Sequence, residues 1–419
     1  MTATKRDASL SPPPIKRRRL HTDGAKDEQA PPSQAPLQTS SNQQQQQQQR
    51  TTIRIISWNI NGLQPFIPAS AAPITSYFKP IRSPDEASSV TPADHGQQHI
   101  SSSPRAFLSR HNWPEVLFLQ ELKISPTSEG RISAALSATL NTPLGPDDEV
   151  TPQNSYTVDM VLPRDRFNAW GFGGRLYGVG TILRTDFARQ HVSRVREVDW
   201  DLEGRVSVVE TRPNAPGSGR RHPLALINVY AVNGTSAAYK NPRTGKVEGG
   251  KTRHDHKLAF HSRLRDEALA LEERGFDVVI AGDMNVARGV LDGHPNLRTF
   301  PEQHRRNRAD FNAKFFGRGD NERARAYVVV DGEESSSGEE KKKCFDGVDV
   351  FRALHGGERR YTYHPRTKAW GSSADRVDMI IVTKRLWEGG LVRGTGIMDT
   401  PQERGPSDHV PLWVEVAIG

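Results

Sequence analysis

The sequence has a single cysteine, Cys344, and aromatic residues make up only 7% of its 419 positions. One cysteine excludes an intrachain disulfide and a cysteine-rich zinc module, and it fits a reducing compartment. No apolar run approaches the roughly 18 residues that a membrane-spanning helix needs, and the N-terminal residues lack the apolar core of a secretion signal. We therefore expect an intracellular protein without membrane association.

Large apolar side chains are almost absent from residues 1–50, which hold proline clusters, serines and an unbroken glutamine run at 43–49. Such a segment cannot bury enough surface to offset the entropy lost on folding. We expect a disordered basic, Gln-rich tail at 1–50 that is available to protein partners, and one folded domain at 51–419. The segments at about 64–104 and 331–343 are rich in Pro and Ser or in charge, and are interpreted as surface insertions.

The net charge of +8 is shared between the two parts of the chain: the tail has eight Lys or Arg and four Asp or Glu, which leaves +4 for residues 51–419. A mildly basic domain permits a nucleic-acid contact but does not require one. The basic cluster at 16–19, with Lys5 and Arg6 upstream, predicts a nuclear localisation signal and therefore a nuclear protein. The alternative is a solvated basic tail.

Short apolar runs rich in Val and Ile recur along the domain and are typical of strands buried on both faces. They lie at 53–58, 116–120, 179–183, 206–210, 224–230, 278–282, 379–382 and 410–414. One helix is predicted over about 255–273, with Gly275 at its C-terminal end. Interspersed strands and helices indicate an α/β domain.

Polar residues border several of these runs. Some follow a run and others precede one, and together they are Asn59, Glu121, Asp283, Asn285, Asp378, Asp408 and His409. Side chains at the end of some strands and the start of others share one edge only if the sheets contain antiparallel pairs. We therefore expect mixed sheets with one acid-lined rim, an arrangement suited to a metal-dependent hydrolase.

Glu121 is the predicted metal ligand, because a hard cation such as Mg²⁺ prefers carboxylate oxygen and keeps waters that a substrate phosphate can displace. Asn59 and Asp408 support this assignment; Asn59 either orients Glu121 or contacts the metal through its amide oxygen. The alternatives are a solvated or capping Glu121, and a turn role for Asn59 ahead of Asn61 and Gly62.

Asp283 and Asn285 are two residues apart where a predicted strand gives way to a loop. A carboxylate there can orient or deprotonate a water, and an amide N–H can stabilise charge on a phosphate oxygen. The alternative is an Asx turn that ends the strand.

His409 is expected to donate to a phosphate oxygen while Asp378 holds the imidazole and raises its pKa. At the rim we also expect Tyr230 and Asn233, as a phenol and an amide that bind phosphate or the leaving oxygen, with packing as the alternative for Tyr230. The basic stretch 305–308 predicts a DNA-phosphate contact by Arg306, or else a solvated helix face.

Six sequence blocks resemble, in order, the exonuclease III-like apurinic/apyrimidinic (AP) endonucleases of the endonuclease/exonuclease/phosphatase superfamily. The resemblance covers about 51–419, and the blocks are Ser-Trp-Asn-Ile-Asn-Gly-Leu at 57–63, Leu-Gln-Glu-Leu-Lys at 119–123, Asn-Val-Tyr-Ala-Val-Asn at 228–233, Gly-Asp-Met-Asn-Val-Ala at 282–287, Arg-Val-Asp at 376–378 and Ser-Asp-His at 407–409. The fourth block is the most discriminating, since other branches of the superfamily usually continue differently after Asp-x-Asn.

The resemblance implies a four-layered α/β/β/α sandwich, with two mixed β-sheets packed face to face and helices outside. It also implies cleavage of a DNA phosphodiester by water with Mg²⁺, or Mn²⁺ in its place, leaving a 3′-hydroxyl. Metal binding would fall to Glu121 with Asn59 and Asp408, and alignment of the water to Asp283.

By the same resemblance, Asn285 and His409 would bind the scissile phosphate, Asp378 would pair with His409, and Tyr230 and Asn233 would complete the phosphate pocket. The chain departs from the family where Asp375 precedes Arg376, since many abasic endonucleases have Trp there. Val232 also replaces the usual Pro. Tyr363 and Trp370 lie nearby in the sequence and are candidates to replace the Trp.

We expect a monomeric nuclear enzyme of base excision repair that acts on double-stranded DNA with abasic or 3′-blocked lesions, as an AP endonuclease, a 3′-phosphodiesterase or a 3′→5′ exonuclease. The alternatives are hydrolysis of an RNA 3′ end or of a tyrosyl-DNA adduct by the same fold, and a non-catalytic nuclear scaffold.

Overall fold

The computed structural model describes residues 52–67, 103–213, 222–317 and 344–418. The expected tail at 1–50, the insertion at 331–343 and most of the one at 64–104 lie outside the described residues. The described ends of the latter contribute a short 3-10 helix, Gln64–Phe66, and the start of a helix at Pro104. None of the described helices combines the length and the apolar composition that crossing a bilayer requires.

The described residues form sixteen strands and eight α-helices, numbered along the chain. The strands are β1 (Thr52–Asn59), β2 (Val116–Gln120), β3 (Tyr156–Val161), β4 (Val179–Arg184), β5 (Val192–Glu197), β6 (Val206–Thr211), β7 (Leu224–Tyr230), β8 (Ala238–Lys240), β9 (Val247–Thr252), β10 (Asp277–Asp283), β11 (Gly293–His294), β12 (Val348–Asp349), β13 (Ala374–Asp375), β14 (Asp378–Val382), β15 (Val392–Ile397) and β16 (Leu412–Ala417). The helices are α1 (Pro104–Arg110), α2 (Glu129–Asn141), α3 (Thr185–His191), α4 (Arg253–Glu273), α5 (Gln303–Phe315), α6 (Val350–His355), α7 (Lys384–Glu388) and α8 (Pro401–Arg404).

Twelve strands form two six-stranded sheets. The first has the order β15-β16-β1-β2-β4-β3 and the second β12-β14-β10-β7-β6-β5. In each sheet one central pair, β1 with β2 or β7 with β10, is parallel, and the other pairs are antiparallel. The mixed sheets expected from the polar strand ends are therefore present.

Three apolar clusters separate four layers. One lies between the sheets and contains residues of both, such as Ile55 and Phe118 from the first sheet and Leu226 and Val279 from the second. On the outer faces, the first sheet packs against α1 and α2, and the second sheet packs against α4 and α5. The α/β/β/α sandwich is thus confirmed.

Strand alternation determines which polar residues face the other sheet. In β10, Val279 and Ala281 belong to the cluster between the sheets, and because side chains alternate, Asp283 points the same way. The same count applied to Ile380 and Val382 in β14 places Asp378 on the inner face. At one end of the sandwich, the inner face of the second sheet therefore carries carboxylates in place of apolar side chains.

Most predicted elements agree with the structure. The runs at 116–120 and 224–230 are strands with those bounds, and the predicted helix begins two residues earlier because Thr252 and Asp255 form a capping box. Gly275, with φ +87°, follows its end. The prediction of a strand at 410–414 is wrong at its start: β16 begins at Leu412, after Pro411, which has no N–H for a ladder hydrogen bond.

Candidate active site

Asp283 stands at the centre of the polar end of the sandwich. It is the last residue of β10 and is paired in register with Asp378 of β14 on one side and with Tyr230 of β7 on the other. All three are buried. Adjacent strands therefore bring together residues far apart in the sequence.

Asn59 joins the two sheets at this end. Its Nδ2 donates to Glu121 Oε2 and to Asp283 Oδ2, both at 3.0 Å. Its Oδ1 accepts from the main-chain N–H of Asn61 at 3.0 Å. Since the amide oxygen is engaged and the amide nitrogen faces both carboxylates, the arrangement favours the orienting role for Asn59 over direct metal contact.

The Asp378 and His409 side chains form a buried pair, with His409 Nδ1 2.7 Å from Asp378 Oδ2. Burial opposes a charge on His409, but the adjacent Asp378 carboxylate outweighs it and raises the pKa of His409 to about 10. The main chain of His409 is held by Trp58 Nε1, which donates to its carbonyl at 3.0 Å, and by Ser407 Oγ, which accepts from its N–H at 3.0 Å. His409 is therefore a fixed, protonated donor at neutral pH.

Burial, together with the charge of Asp378, raises the pKa of Asp283 to about 7. Asn285 counteracts the rise, since its main-chain N–H donates to Asp283 Oδ1 at 2.8 Å and its Nδ2 lies 3.2 Å from Oδ2. Nδ2 also donates to the Ala231 carbonyl at 2.9 Å. A carboxylate that changes charge near neutrality is suited to taking a proton from water.

Glu121 lies at the rim of this cluster, with 15% of its side chain exposed. Lys123 Nζ is 2.7 Å from Glu121 Oε1 and also donates to Asn61 Oδ1. Asn61 Nδ2 in turn donates to Asp408 Oδ1 at 2.7 Å. Asp408 is thus linked to Glu121 through two further side chains.

The oxygen donors at the rim fit a hard divalent cation. Glu121 and Asp408 supply carboxylate oxygens in a partly exposed position, where a cation can keep waters. A second grouping, Asp283, Asp378 and His409, has ligand atoms within 4.8 Å of one another. This grouping is less suited to holding a cation, because His409 Nδ1 and Asp378 Oδ2 are already hydrogen-bonded to each other.

Two further predicted residues lie differently. Tyr230 is buried, with the guanidinium of Arg205 4.8 Å from its ring centre, and burial and the charge of Glu121 raise its pKa well above the usual value. Asn233 is exposed two residues beyond Ala231, and Arg306 is exposed on α5. No contact joins Asn233 or Arg306 to the cluster within the part of the chain that the structure describes.

Tyr363 lies beside the cluster, with its ring centre 5.0 Å from that of His409 and bridge pairing to both His409 and Asp375. Trp370 instead stacks on His364, with ring centres 3.9 Å apart. Of the two candidates for the missing Trp, Tyr363 is the one in contact with His409.

Sequence reasoning assigned no role to three contributors: Asn61, Lys123 and Lys257. Lys257 is buried in α4 and its Nζ donates to the Asn285 carbonyl at 2.7 Å. Nothing in a lysine on a polar helix reveals such a contact. Asn61 and Lys123 do belong to the recognised blocks, and both have left-handed φ values, as Glu121 and Asn285 do. Non-glycine residues in that region often mark functional sites.

The model of the endonuclease/exonuclease/phosphatase family matches residues 56–409, a span from the first strand to the histidine of the buried pair. This chain belongs to that family. The expected superfamily is therefore confirmed, and with it the expectation of an enzyme that hydrolyses phosphate esters. A comparison with curated proteins finds no match.

Solved structures of AP endonucleases share the fold. The chain is similar to the catalytic domain of APE2 from Xenopus laevis, with 17% identity and a TM-score of 0.52 over 87% of this chain and 92% of that one. It is also similar to the AP endonuclease LMAP from Leishmania major, with 16% identity and a TM-score of 0.53 over 88% of each chain. At these identities the likeness establishes the architecture, and the resemblance to AP endonucleases is confirmed at that level.

Proposed function

We propose that this protein is a nuclear DNA-repair nuclease that cleaves phosphodiester bonds at abasic or 3′-blocked sites with Mg²⁺ and leaves a 3′-hydroxyl. The observation that carries the proposal is the Asn59 amide, which holds Glu121 and Asp283 together while Asp283 adjoins the Asp378–His409 pair. A cation ligand, a proton acceptor and a cationic donor thereby share one site.

Each of these groups has its own part in the hydrolysis. Asp283 orients a water and accepts its proton as the water oxygen bonds to phosphorus. The bond from phosphorus to the upstream 3′ oxygen breaks, and that oxygen takes up a proton and becomes the 3′-hydroxyl. His409 donates to a non-bridging oxygen, where negative charge increases in the transition state. The Asn285 side-chain amide donates there as well when it exchanges its 3.2 Å contact with Asp283 Oδ2 for the phosphate.

A divalent cation would be held by the Glu121 and Asp408 carboxylates, with Asn59 orienting Glu121. When bound, Mg²⁺ or Mn²⁺ supplies positive charge that neutralises the phosphate. The ammonium of Lys123 already lies at this carboxylate, so a bound cation requires Lys123 to move or to share Glu121 with it.

The fold shared with AP endonucleases favours DNA over other phosphate esters. The positive charge of residues 51–419 and the exposed Arg306 of α5 are compatible with a polyanionic substrate. The basic cluster at 16–19 supports the nuclear assignment. Because Asp375 stands where many abasic endonucleases have Trp, we include 3′-blocked ends beside abasic sites as substrates.

A matched set of oligonucleotides tests the substrate. The full-length protein is incubated with Mg²⁺ or with EDTA and four substrates of one sequence: an abasic duplex, a 3′-blocked duplex, a 3′-tyrosyl duplex and an RNA strand. We expect Mg²⁺-dependent cleavage of the first two, with 3′-hydroxyl products that a polymerase extends. If only the RNA or only the tyrosyl adduct is cleaved, that molecule and not damaged DNA is the substrate class. If none of the four is cleaved, the proposal is wrong.

A further inference from the structure

A basic hairpin extends from the segment between β7 and α4. It consists of β8, β9 and their connection, residues 238–252, and is called the basic hairpin below. Its exposed side chains include Lys240, Arg243, Lys246 and Lys251, and the sequence of this span has one acidic residue, Glu248. A net charge of +3 is therefore concentrated in fifteen residues.

The basic hairpin is fastened to a neighbouring loop through Asn168. Asn168 Oδ1 accepts from the Lys240 main-chain N–H at 2.9 Å, and its Nδ2 donates to the Lys240 carbonyl at 2.7 Å. Gly245, with φ +73°, packs so closely against the Phe167 ring that a Cβ there would lie 2.7 Å from it. These interactions limit the directions in which the hairpin can swing.

The base of the basic hairpin is tied to the active site by one buried carboxylate, Glu203. Arg253, the residue after the hairpin, donates to Glu203 through both terminal nitrogens. Arg205 Nε donates to the same carboxylate at 2.7 Å and lies over the ring of Tyr230. Tyr239 in the hairpin stacks on His256, with ring centres 4.2 Å apart, and His256 Nε2 is 3.0 Å from Glu203. The hairpin and Tyr230 therefore share a support.

Among the side chains that the structure describes, none forms an ion pair with Lys240, Arg243, Lys246 or Lys251 of the basic hairpin. Elsewhere on the surface, exposed arginines such as Arg194 and Arg274 pair with Glu210. Like charges so close together repel one another, and this repulsion is relieved when a polyanion binds. Cations projecting from a fixed element are a common way to bind successive phosphates.

We propose that the basic hairpin binds backbone phosphates of the DNA duplex whose scissile bond lies at Asp283, and so adds a sequence-independent contact to the substrate surface. The inference rests on the proposed function. Because the hairpin would bind phosphates, it strengthens binding to damaged and undamaged duplexes alike and leaves the choice of bond to the groups at the site.

The test compares two variants with the same change in net charge. The hairpin variant replaces the four cations with glutamine: Lys240→Gln, Arg243→Gln, Lys246→Gln and Lys251→Gln. The control replaces four exposed cations near the opposite ends of the sheets: Arg189→Gln, Arg212→Gln, Lys384→Gln and Arg393→Gln. Binding of the full-length proteins to a fluorescent abasic duplex is measured in EDTA over a salt titration, and cleavage of the same duplex is measured with Mg²⁺.

We expect the hairpin variant to bind about tenfold or more weakly, with its salt slope reduced by about 0.9 for each phosphate that the hairpin neutralises, while the control binds nearly as the wild type. Equal weakening of DNA binding in the two variants, or no weakening in either, would overturn the inference. Cleavage by the wild type would still support the proposed function in that case. If the wild type neither binds nor cleaves DNA, both fail. Thermal unfolding monitors the fold, and the pairs K240Q/R243Q and K246Q/K251Q repeat the comparison if the fourfold variant unfolds.

Discussion

Asp283 and Asp378 are cross-strand partners that close the ends of β10 and β14 on the inner face of one sheet. Two buried carboxylates so close cannot both be charged without compensation. The compensation comes from His409, which is bonded to Asp378, and from Asn59 and Asn285, which donate to Asp283. Each member of the site therefore depends on the others, and the predictions below separate their contributions.

Asp378 acts through His409 in this arrangement and not on the substrate. Asp378→Asn keeps the shape but removes the negative charge that orients and charges the imidazole, so we expect kcat to fall by about 10²-fold or more. The Mg²⁺ concentration for half-maximal rate should not change. Steady-state rates over a Mg²⁺ titration measure both, and a changed Mg²⁺ requirement with an unchanged kcat would contradict the role.

Glu121 follows β2, and Glu115 precedes it, paired with Arg184. If Glu121 holds the metal, Glu121→Gln should raise the Mg²⁺ concentration for half-maximal rate by more than the roughly tenfold to 100-fold that removal of a supporting side chain causes. Asn59→Ala should fall within that smaller range. Glu115→Gln is the matched control at the opposite end of the strand and should leave the titration unchanged. Equal behaviour of the two glutamate variants would remove Glu121 from the metal site.

Lys257 makes stability depend on pH. Burial lowers its pKa to about 7 in the folded protein, against about 10.4 in an unfolded chain. Between these values the unfolded chain binds a proton that the folded chain does not, so stability rises with pH. We expect the unfolding free energy of the wild type to gain on that of Lys257→Met by up to about 1.4 kcal/mol per pH unit above about pH 7.5. Parallel pH curves in urea unfolding would show that Lys257 stays charged.

Tyr363 is the aromatic neighbour of His409. If its ring contacts the base-less sugar, Tyr363→Ala should lower abasic cleavage about twofold to tenfold relative to 3′-blocked cleavage, the range expected for one aromatic interaction. Tyr363→Phe should preserve the ratio. Trp370→Ala is the comparison, since that ring is already stacked on His364. A larger change of the ratio in the Trp370 variant would show that Trp370, and not Tyr363, contacts the sugar.

Burial of strands on both faces explains why much of the fold and site could be predicted from the sequence. The strand over 278–282 is buried along its whole length, so it has no polar side chain before Asp283, and the carboxylate that ends it is conspicuous. Helices could be predicted less completely. In α2, only Leu136 and Leu140 are buried, so the apolar stripe is too sparse to stand out.

The side chains that support the site could not be predicted from the sequence, for a different reason. Lys257, Arg205 and Glu203 are charged residues that a linear pattern places at the surface, yet all are buried. Their burial is possible only because partners arrive from other elements, such as Arg253 of α4 at Glu203. Such pairings depend on how the strands and helices are assembled, which local periodicity does not encode.

The most direct test is single-turnover cleavage of a synthetic abasic duplex by Asp283→Asn. The matched control is Asp277→Asn, which makes the same exchange at the opposite end of β10. We predict that Asp283→Asn binds the duplex and unfolds thermally like the wild type but cleaves about 10² to 10⁴ times more slowly, while Asp277→Asn cleaves at nearly the wild-type rate. Cleavage by Asp283→Asn at the wild-type rate would contradict the central claim that the joined carboxylates form a hydrolytic site.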